Sequence, residues 1–85
     1  MASLIDEIDD FLSTMSFHGE YCNDSYLYTN LGNDGKNYLI IIQVIDDDKY
    51  LIHVSIDGIV YNKGMEISSF IDFEVFYRGT IERYF

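Results

Sequence analysis

The fold of this chain is set by two stretches of sequence, NYLIIIQVI at Asn37–Ile45 and KYLIHVSI at Lys49–Ile56. Both are rich in β-branched and aromatic residues and have the length of ordinary strands. The first is apolar at successive positions, which is typical of a strand that is buried on both faces. Three aspartates, Asp46–Asp48, separate the two stretches as a turn. The pair therefore predicts two antiparallel strands at the centre of a sheet.

Shorter strand signals lie on both sides of this pair. Ser25–Asn30 (SYLYTN) is prone to form a strand, and the turn signal Gly32–Gly35 (GNDG) links it to the first central strand. Asp57-Gly58 is a second hairpin signal, followed by a short strand at Ile59–Tyr61. Thr80–Phe85 (TIERYF) alternates in hydrophobicity and predicts a final edge strand.

Two helices are predicted, one at each end of the chain. The first has apolar residues at helical spacing, a capping box at Ser3 and Asp6, and a stop at Gly19; the apolar stripe is Leu4, Ile5, Ile8, Phe11, Leu12 and Met15. The second begins at Ser68 or Ser69 and ends at Gly79. The whole chain, residues 1–85, is thus expected to be one α+β domain. Its expected order is an N-terminal helix, an antiparallel sheet of four to five strands, and a short second helix before the last strand.

The charge of the chain limits the kinds of partner. Fifteen Asp and Glu residues outnumber five Lys and Arg, so the formal charge is −10. Such a surface repels nucleic acid and anionic membranes and is attracted to basic grooves. A compact domain of this length is roughly 30 Å across, and duplex DNA of that length carries about 18 phosphate charges. Simple solubility is the alternative interpretation of the same charge.

Groups with catalytic or metal-binding chemistry are sparse. His53 lies among apolar strand residues, and His18 near Cys22 is a conceivable Cys–His pair with no further support. The turn Asp46–Asp48 lacks the ligand spacing of a calcium-binding EF-hand loop. The sequence therefore predicts no enzyme activity, no metal and no cofactor. A single cysteine and the absence of a signal-peptide pattern favour a reducing, cytoplasmic location, in a bacterial host cell if a phage encodes the protein.

One segment, YNKGMEISSFIDFEVFYRG at Tyr61–Gly79, resembles a family of small acidic phage proteins that inhibit uracil-DNA glycosylase. The shared features are a Tyr-x-Lys-Gly step, an apolar-x-apolar-Ser stretch and Asp-Phe-Glu-Val-x-Tyr. They fall here at Tyr61–Gly64, Met65–Ser68 and Asp72–Tyr77, after Gln43 and the acidic turn Asp46–Asp48. The resemblance covers about half of the chain. The first helix and the first strand have no counterpart in that family.

The resemblance implies a mechanism of inhibition by DNA mimicry. The Phe of Asp-Phe-Glu fills an apolar pocket of the glycosylase in that family, so Phe73 is the expected anchor. The nearby carboxylates would face donors that otherwise hold DNA phosphates. The expected partner-binding residues are Phe73, Asp72, Glu74, Tyr77, Glu66 and Phe70. So many large apolar side chains in one short helix predict that at least one large ring is exposed or is buried against a partner. Helical spacing of Phe70, Phe73 and Phe76 is also typical of a core stripe.

The favoured function is therefore a protein inhibitor that occupies the DNA-binding groove of uracil-DNA glycosylase. An anti-CRISPR or anti-restriction DNA mimic is the alternative, and an acidic regulatory interaction module is the second alternative. The expected partner is a DNA-binding enzyme, with no direct contact to nucleic acid or a membrane. A monomer is favoured over a homodimer, because the first helix could cover the surface that a second protomer covers in the resembling family.

Overall fold

A computed structural model describes residues 3–60 and 64–85 of the chain. The helices and strands of these residues follow one another as α1 (Leu4–Thr14), β1 (His18–Cys22), β2 (Ser25–Leu31), β3 (Asn37–Asp46), β4 (Lys49–Ile56), β5 (Ile59–Val60), β6 (Met65–Ile67) and α2 (Phe70–Thr80). A short 3-10 helix, Glu82–Tyr84, comes last. The predicted α+β class, with its N-terminal helix, antiparallel sheet and second helix, is confirmed.

The sheet is an antiparallel meander with β3 at its centre. Strands β1 to β4 pair in chain order, and both β5 and β6 pair with β4 at the far edge. The described residues thus form six strands, one more than the highest predicted number. The predicted turns at Gly32–Gly35, Asp46–Asp48 and Asp57-Gly58 connect β2, β3, β4 and β5, and Asp48, Asp57 and Gly58 adopt positive φ angles there. Asp and Gly tolerate this left-handed conformation better than most residues do.

The sequence missed strand β1. The first helix was expected to continue toward Gly19, but α1 ends at Thr14 and the chain turns at Ser16, whose φ is 70°. Phe17 then inserts into the core and is only 5% exposed, while its N–H donates to the Leu12 carbonyl. Burial of the Phe17 ring stabilises the protein more than a further turn of α1 would, so the helix ends before it. All five residues of β1 remain exposed, so the strand has no hydrophobic alternation by which it could be recognised.

The predicted C-terminal edge strand, Thr80–Phe85, is wrong. Helix α2 passes through Gly79 to Thr80, and the 3-10 helix follows. Ile81 is fully buried, Tyr84 stacks on Tyr38 with ring centroids 5.3 Å apart, and Phe85 packs against Phe17. Because Ile81, Tyr84 and Phe85 all pack on the same core, the helical spacing of this segment outweighs its strand-like alternation.

Both helices pack on one face of the sheet and form a single core with it. The buried apolar residues are Leu4, Ile8, Leu12, Phe17, Tyr28, Tyr38, Ile40, Ile42, Tyr50, Ile52, Val54, Ile67, Phe73, Phe76, Tyr77 and Ile81. In β3 and β4 these are the even-numbered residues, so the odd-numbered ones point to the opposite face of the sheet. No helix in the described part of the chain is long and apolar enough to cross a membrane.

Candidate protein-binding surface

The aromatic residues of the predicted binding site belong to the core. Phe73 is 0% exposed and Tyr77 is 1% exposed, so neither ring can enter a pocket of a partner in this structure. Phe70 is half-buried and packs against the same core. The expectation that Phe73 is an exposed anchor is therefore wrong, and so is the expected rim contact by Tyr77.

The physical reason is the position of Phe11 on α1. Its ring makes edge-on contacts with Phe70, Phe73 and Tyr77, at centroid distances of 5.9, 5.6 and 5.1 Å. Edge-to-face pairs of this kind are favourable beyond the area that they bury. The apolar side chains that α2 exposes are instead Ile71 and Val75. The rings of α2 do not all have to be buried by one surface, because they pack partly against Phe11 of α1 and partly against the sheet.

The acidic residues of the predicted site are engaged within the protein. Asp72 accepts hydrogen bonds from the backbone N–H of Ser68 at 3.0 Å and from its hydroxyl at 3.4 Å. The hydrogen bond from the Ser68 N–H holds the pKa of Asp72 below its usual value, because its effect outweighs the opposing effect of desolvation. Glu74 pairs with Arg78 at 3.4 Å, and Glu66 pairs with Lys49 at 3.7 Å. These three carboxylates are therefore partly neutralised or used as a helix cap.

A different surface combines carboxylates with tyrosine rings. It lies where α1 crosses β1 and β2, beside the turn between β3 and β4. We call this surface the acid–tyrosine patch. The rings of Tyr28 and Tyr50 are buried at its base and Tyr26 is half-buried, and its exposed members are Asp6, Asp9, Tyr21, Asp24 and Asp48. The Tyr28 hydroxyl donates to Asp9 at 2.9 Å, and the Tyr21 hydroxyl donates to Asp24 at 3.3 Å.

The local sequence explains how the patch forms. Tyr26 and Tyr28 alternate in β2 and face α1, and Tyr21 lies directly across from Tyr26 in the antiparallel pair. Their rings are 4.7 Å apart at the centroids, and Tyr21 is 59% exposed. Gly19 faces Tyr28, and a Cβ atom there would lie 2.7 Å from the ring. A glycine at this position therefore lets the Tyr28 ring lie against the β1 backbone and reach Asp9.

Electrostatics link the patch across its width. Desolvation, and then the carboxylates of Asp48 and Asp6, raise the pKa of Tyr50. Desolvation and the Asp9 carboxylate raise the pKa of Tyr28, and desolvation and Asp24 do the same for Tyr21. All three phenols therefore keep their protons at neutral pH, and those of Tyr28 and Tyr21 donate to Asp9 and Asp24. The negative charge of the patch comes from its carboxylates alone.

The patch differs from the surface of α2 in that none of its carboxylates forms an ion pair within the described part of the chain. Among residues 3–60 and 64–85, the ion pairs involve Glu20, Glu66, Glu74 and Glu82, and none involves an acid of α1. Asp6, Glu7, Asp9 and Asp10 thus leave four negative charges on one short helix. The field in front of α1 is more negative than the field in front of α2.

The conceivable Cys–His pair does not form. His18 and Cys22 lie at the two ends of the extended strand β1, so they are about 13 Å apart along the strand. Within the described residues, no three His, Cys, Asp or Glu side chains converge as metal ligands. What the arrangement can do chemically is to accept hydrogen bonds from, and attract, cationic groups of a partner.

Sequence reasoning missed the tyrosines of the patch, although two signals were available. One is the alternation of Tyr26 and Tyr28 in SYLYTN, and the other is the run of acids on the first helix. Neither signal showed that α1 crosses β1 and β2, since that needs the tertiary fold. No family model, curated protein or solved structure matches the chain.

Proposed function

We propose that this protein is a DNA mimic that occupies the DNA-binding groove of another protein and blocks it. The observation that supports this proposal best is the acid–tyrosine patch. Carboxylates from α1 and from the β1–β2 turn, Asp9 and Asp24, accept hydrogen bonds there from the neutral hydroxyls of Tyr28 and Tyr21. A basic groove that normally holds phosphates would be attracted to such a surface.

The spacing of the charges on α1 supports mimicry of a duplex. Asp6, Glu7, Asp9 and Asp10 fall within about 6 Å of helix axis, at 1.5 Å per residue. Their mean spacing is therefore about 2 Å per charge. Duplex DNA carries one negative charge per about 1.7 Å of its axis. The acidic side of α1 thus has nearly the linear charge density of DNA over this short length.

The tyrosine pair provides a means of holding a partner after the initial electrostatic attraction. Charge complementarity mainly raises the rate of association, while desolvated aromatic residues often dominate the energy of an interface. Tyr21 and Tyr26 offer apolar rings beside the carboxylates, and Tyr21 is largely exposed. We therefore assign the anchoring role to this pair in place of the buried Phe73.

Uracil-DNA glycosylase is the first target to test, because the motifs at Tyr61–Gly64 and Asp72–Tyr77 resemble its inhibitors. Tyr61–Lys63 lie outside the described residues, so the first of these motifs rests on sequence. A nuclease of a restriction or CRISPR system is the second target. The concentration of acids on α1, away from Phe73, favours this alternative. Both targets would meet the same patch.

The test is an activity assay with a patch variant and a matched control. The patch variant is Asp9→Asn with Asp48→Asn, because Asn can still accept from Tyr28 and tolerates the positive φ at position 48. The control is Glu66→Gln with Glu74→Gln, which removes the same charge from the site predicted by sequence. We expect the wild-type protein to inhibit uracil excision or DNA cleavage. The inhibition constant should rise about tenfold in the patch variant and less than about threefold in the control.

Salt dependence provides a second readout of the same proposal. Association through the patch should slow steeply as ionic strength rises, since exposed charges are screened within about 8 Å at physiological salt. Undiminished activity of both the glycosylase and the nucleases at a stoichiometric excess of the wild-type protein would overturn the proposal. So would equal weakening by the patch variant and the control.

A further inference from the structure

Strand β1 forms one edge of the sheet, and its outer side is unpaired in the described part of the chain. It pairs with β2 on one side, and none of residues 3–60 and 64–85 pairs with it on the other. All five of its residues are exposed. An unpaired strand edge offers its backbone groups to an added strand. We call the outer side of β1 the free edge.

The register of the β1–β2 hairpin shows which backbone groups lie on the free edge. Cys22 and Ser25 flank a two-residue turn whose residues both have positive φ angles. The two flanking residues therefore exchange hydrogen bonds, and bonded pairs alternate along the hairpin from there. The N–H and C=O groups of Gly19 and Tyr21 thus point away from β2, and no group in the described ranges bonds to them. They repeat at about 7 Å, the spacing of alternate residues in any extended chain.

A shallow cleft of about 230 Å³ lies beside the free edge, on the side of α1. Its lining combines carboxylates with tyrosine rings, and it comprises Asp9, Gly19, Glu20, Tyr21, Tyr26 and Tyr28. In an added strand, the residue directly opposite Tyr21 would have its Cβ atom about 5 Å from that of Tyr21. A cationic side chain at that position would reach the exposed Tyr21 ring, which attracts cations through its π face, and the Asp9 carboxylate.

The charges around the free edge favour a basic strand as its occupant. Asp9, Glu20 and Asp24 surround it, and of these only Glu20 has a basic contact among the described residues, with His18 at 3.5 Å. The sequence of β1, HGEYC, has no Lys and no Pro, and its pairing with β2 has no bulge. Lys, Pro and bulges are common means of blocking an edge strand, so this edge is left open to a strand of the opposite charge.

A second copy of β1 is a poor occupant of the same edge. If two copies paired antiparallel over all five residues, Gly19 would lie opposite Tyr21, and Glu20 would lie opposite Glu20 of the other copy. Like charges directly opposite each other in a sheet are destabilising, and the net charge of −10 adds a general repulsion between copies. The free edge therefore disfavours self-association and favours a basic partner.

We propose that the free edge of β1 binds an extended, Arg- or Lys-rich segment of the partner, which adds to the sheet as a further antiparallel strand. Backbone hydrogen bonds to Gly19 and Tyr21 supply affinity, and the cleft selects cationic side chains at alternate positions. This inference rests on the proposed function, because the acid–tyrosine patch provides the cleft. It adds that the partner is held by its backbone as well as by its charges.

The first test measures amide hydrogen exchange in the wild-type protein with the peptide acetyl-Thr-Arg-Val-Arg-Val-Arg-Thr-amide. Alternation places every Arg of this peptide on one face. At saturating peptide, exchange of the Gly19 and Tyr21 N–H groups should slow by about tenfold or more, since both become hydrogen-bonded. The Glu20 N–H, which already faces β2, is the internal control and should change by less than about twofold. Unchanged exchange at Gly19 and Tyr21 overturns the inference.

A second peptide separates backbone pairing from charge. It carries an N-methyl group on each Arg nitrogen, which keeps every charge and removes the donors that would face β1. Its affinity for the wild-type protein, measured by isothermal titration calorimetry, should be lower by at least about tenfold. Equal affinities of the two peptides would overturn the inference and leave the attraction of basic groups to the patch intact.

Tyr21→Pro makes the matching change in the protein. Pro removes the N–H of residue 21, and an edge strand tolerates Pro where that N–H faces solvent. The control Tyr21→Val loses the ring and keeps the N–H. We expect the unmethylated peptide to bind about tenfold more weakly to Tyr21→Pro and about threefold more weakly to Tyr21→Val.

Equal weakening in the two variants contradicts backbone pairing. If circular dichroism shows that Tyr21→Pro is unfolded, the methylated peptide with the wild-type protein decides the test. The proposed function fails separately, when the wild-type protein inhibits neither the glycosylase nor the nucleases although the peptide still protects Gly19 and Tyr21.

Discussion

The two helices of this protein are built alike and differ in what they present to solvent. Both have eleven residues, begin after a serine cap, and carry an aspartate three residues after that serine. The α1 helix buries three aliphatic side chains and exposes acids that no described cation neutralises. The α2 helix buries Phe73, Phe76 and Tyr77, and it pairs its glutamate with Arg78. The comparison shows that the aromatic residues of α2 mark it as a helix of the core. The unpaired acids of α1 mark that helix as the candidate for binding a partner.

The difference originates in how each helix meets its neighbours. Phe11 of α1 inserts between three aromatic rings of α2, so α2 is enclosed by α1 and the sheet. The outward side of α1 has no such neighbour among the described residues. The acids of α1 form no ion pair with a described cation, so their charge is not neutralised locally, which suits them for attracting a partner.

Removal of the Phe73 ring should have the largest effect on this comparison. We expect Phe73→Ala to lower the free energy of unfolding by about 3–5 kcal/mol, since a fully buried aromatic ring is replaced by a cavity. Denaturation in urea measures this change. Ile71→Ala, on the exposed side of the same helix, is the control and should change stability by less than about 0.5 kcal/mol. An unchanged unfolding midpoint in Phe73→Ala would show that the ring does not belong to the core.

Removal of the helix caps should have an intermediate effect of similar size in the two helices. Ser69 accepts a hydrogen bond from the Asp72 N–H at 3.3 Å, and Ser3 accepts one from the Asp6 N–H at 3.4 Å. Because the two bonds have nearly the same length, Ser69→Ala and Ser3→Ala should each cost about 1 kcal/mol in the free energy of unfolding. A loss in only one of the two variants, measured by thermal or urea denaturation, would contradict the view that the two helices are capped alike.

The central strands and both helix starts could be predicted from local sequence alone. NYLIIIQVI and KYLIHVSI have strong strand propensity, and their turns carry Asp and Gly, so β3, β4 and their hairpin follow directly. Strand β1 could not be predicted, because HGEYC is exposed throughout and is held only by pairing with β2. The C-terminal segment was misassigned because TIERYF fits both an alternating strand and a turn of helix, and only the core decides between them.

The candidate site was harder to predict than the fold. The rings of α2 suggested an exposed anchor, since α2 alone cannot bury them. Their burial depends on Phe11, which is about sixty residues away in sequence. The acid–tyrosine patch likewise joins distant segments: Tyr28 of β2 donates to Asp9 of α1, and the carboxylates of Asp48 and Asp6 both raise the pKa of Tyr50. Contacts between distant segments carry no local sequence signal.

Addition of a cation to α1 should have the smallest effect and is the most direct test of its unpaired charge. Ser13 is exposed and lies four residues after Asp9, so Ser13→Lys creates an i,i+4 pair of the favourable orientation near the helix C-terminus. We expect a gain of about 0.3–0.5 kcal/mol in the free energy of unfolding. Ser13→Gln is the matched control, because Gln has nearly the helix propensity of Lys without its charge.

On α2 a cation is already present, since Arg78 lies 3.4 Å from Glu74 and 2.5 Å from Glu82. Arg78→Gln should therefore lower the free energy of unfolding by an amount similar to the gain expected for Ser13→Lys. Both changes should shrink at about 0.5 M salt, whereas a gain in Ser13→Gln equal to that in Ser13→Lys would mean that the acids of α1 are already neutralised.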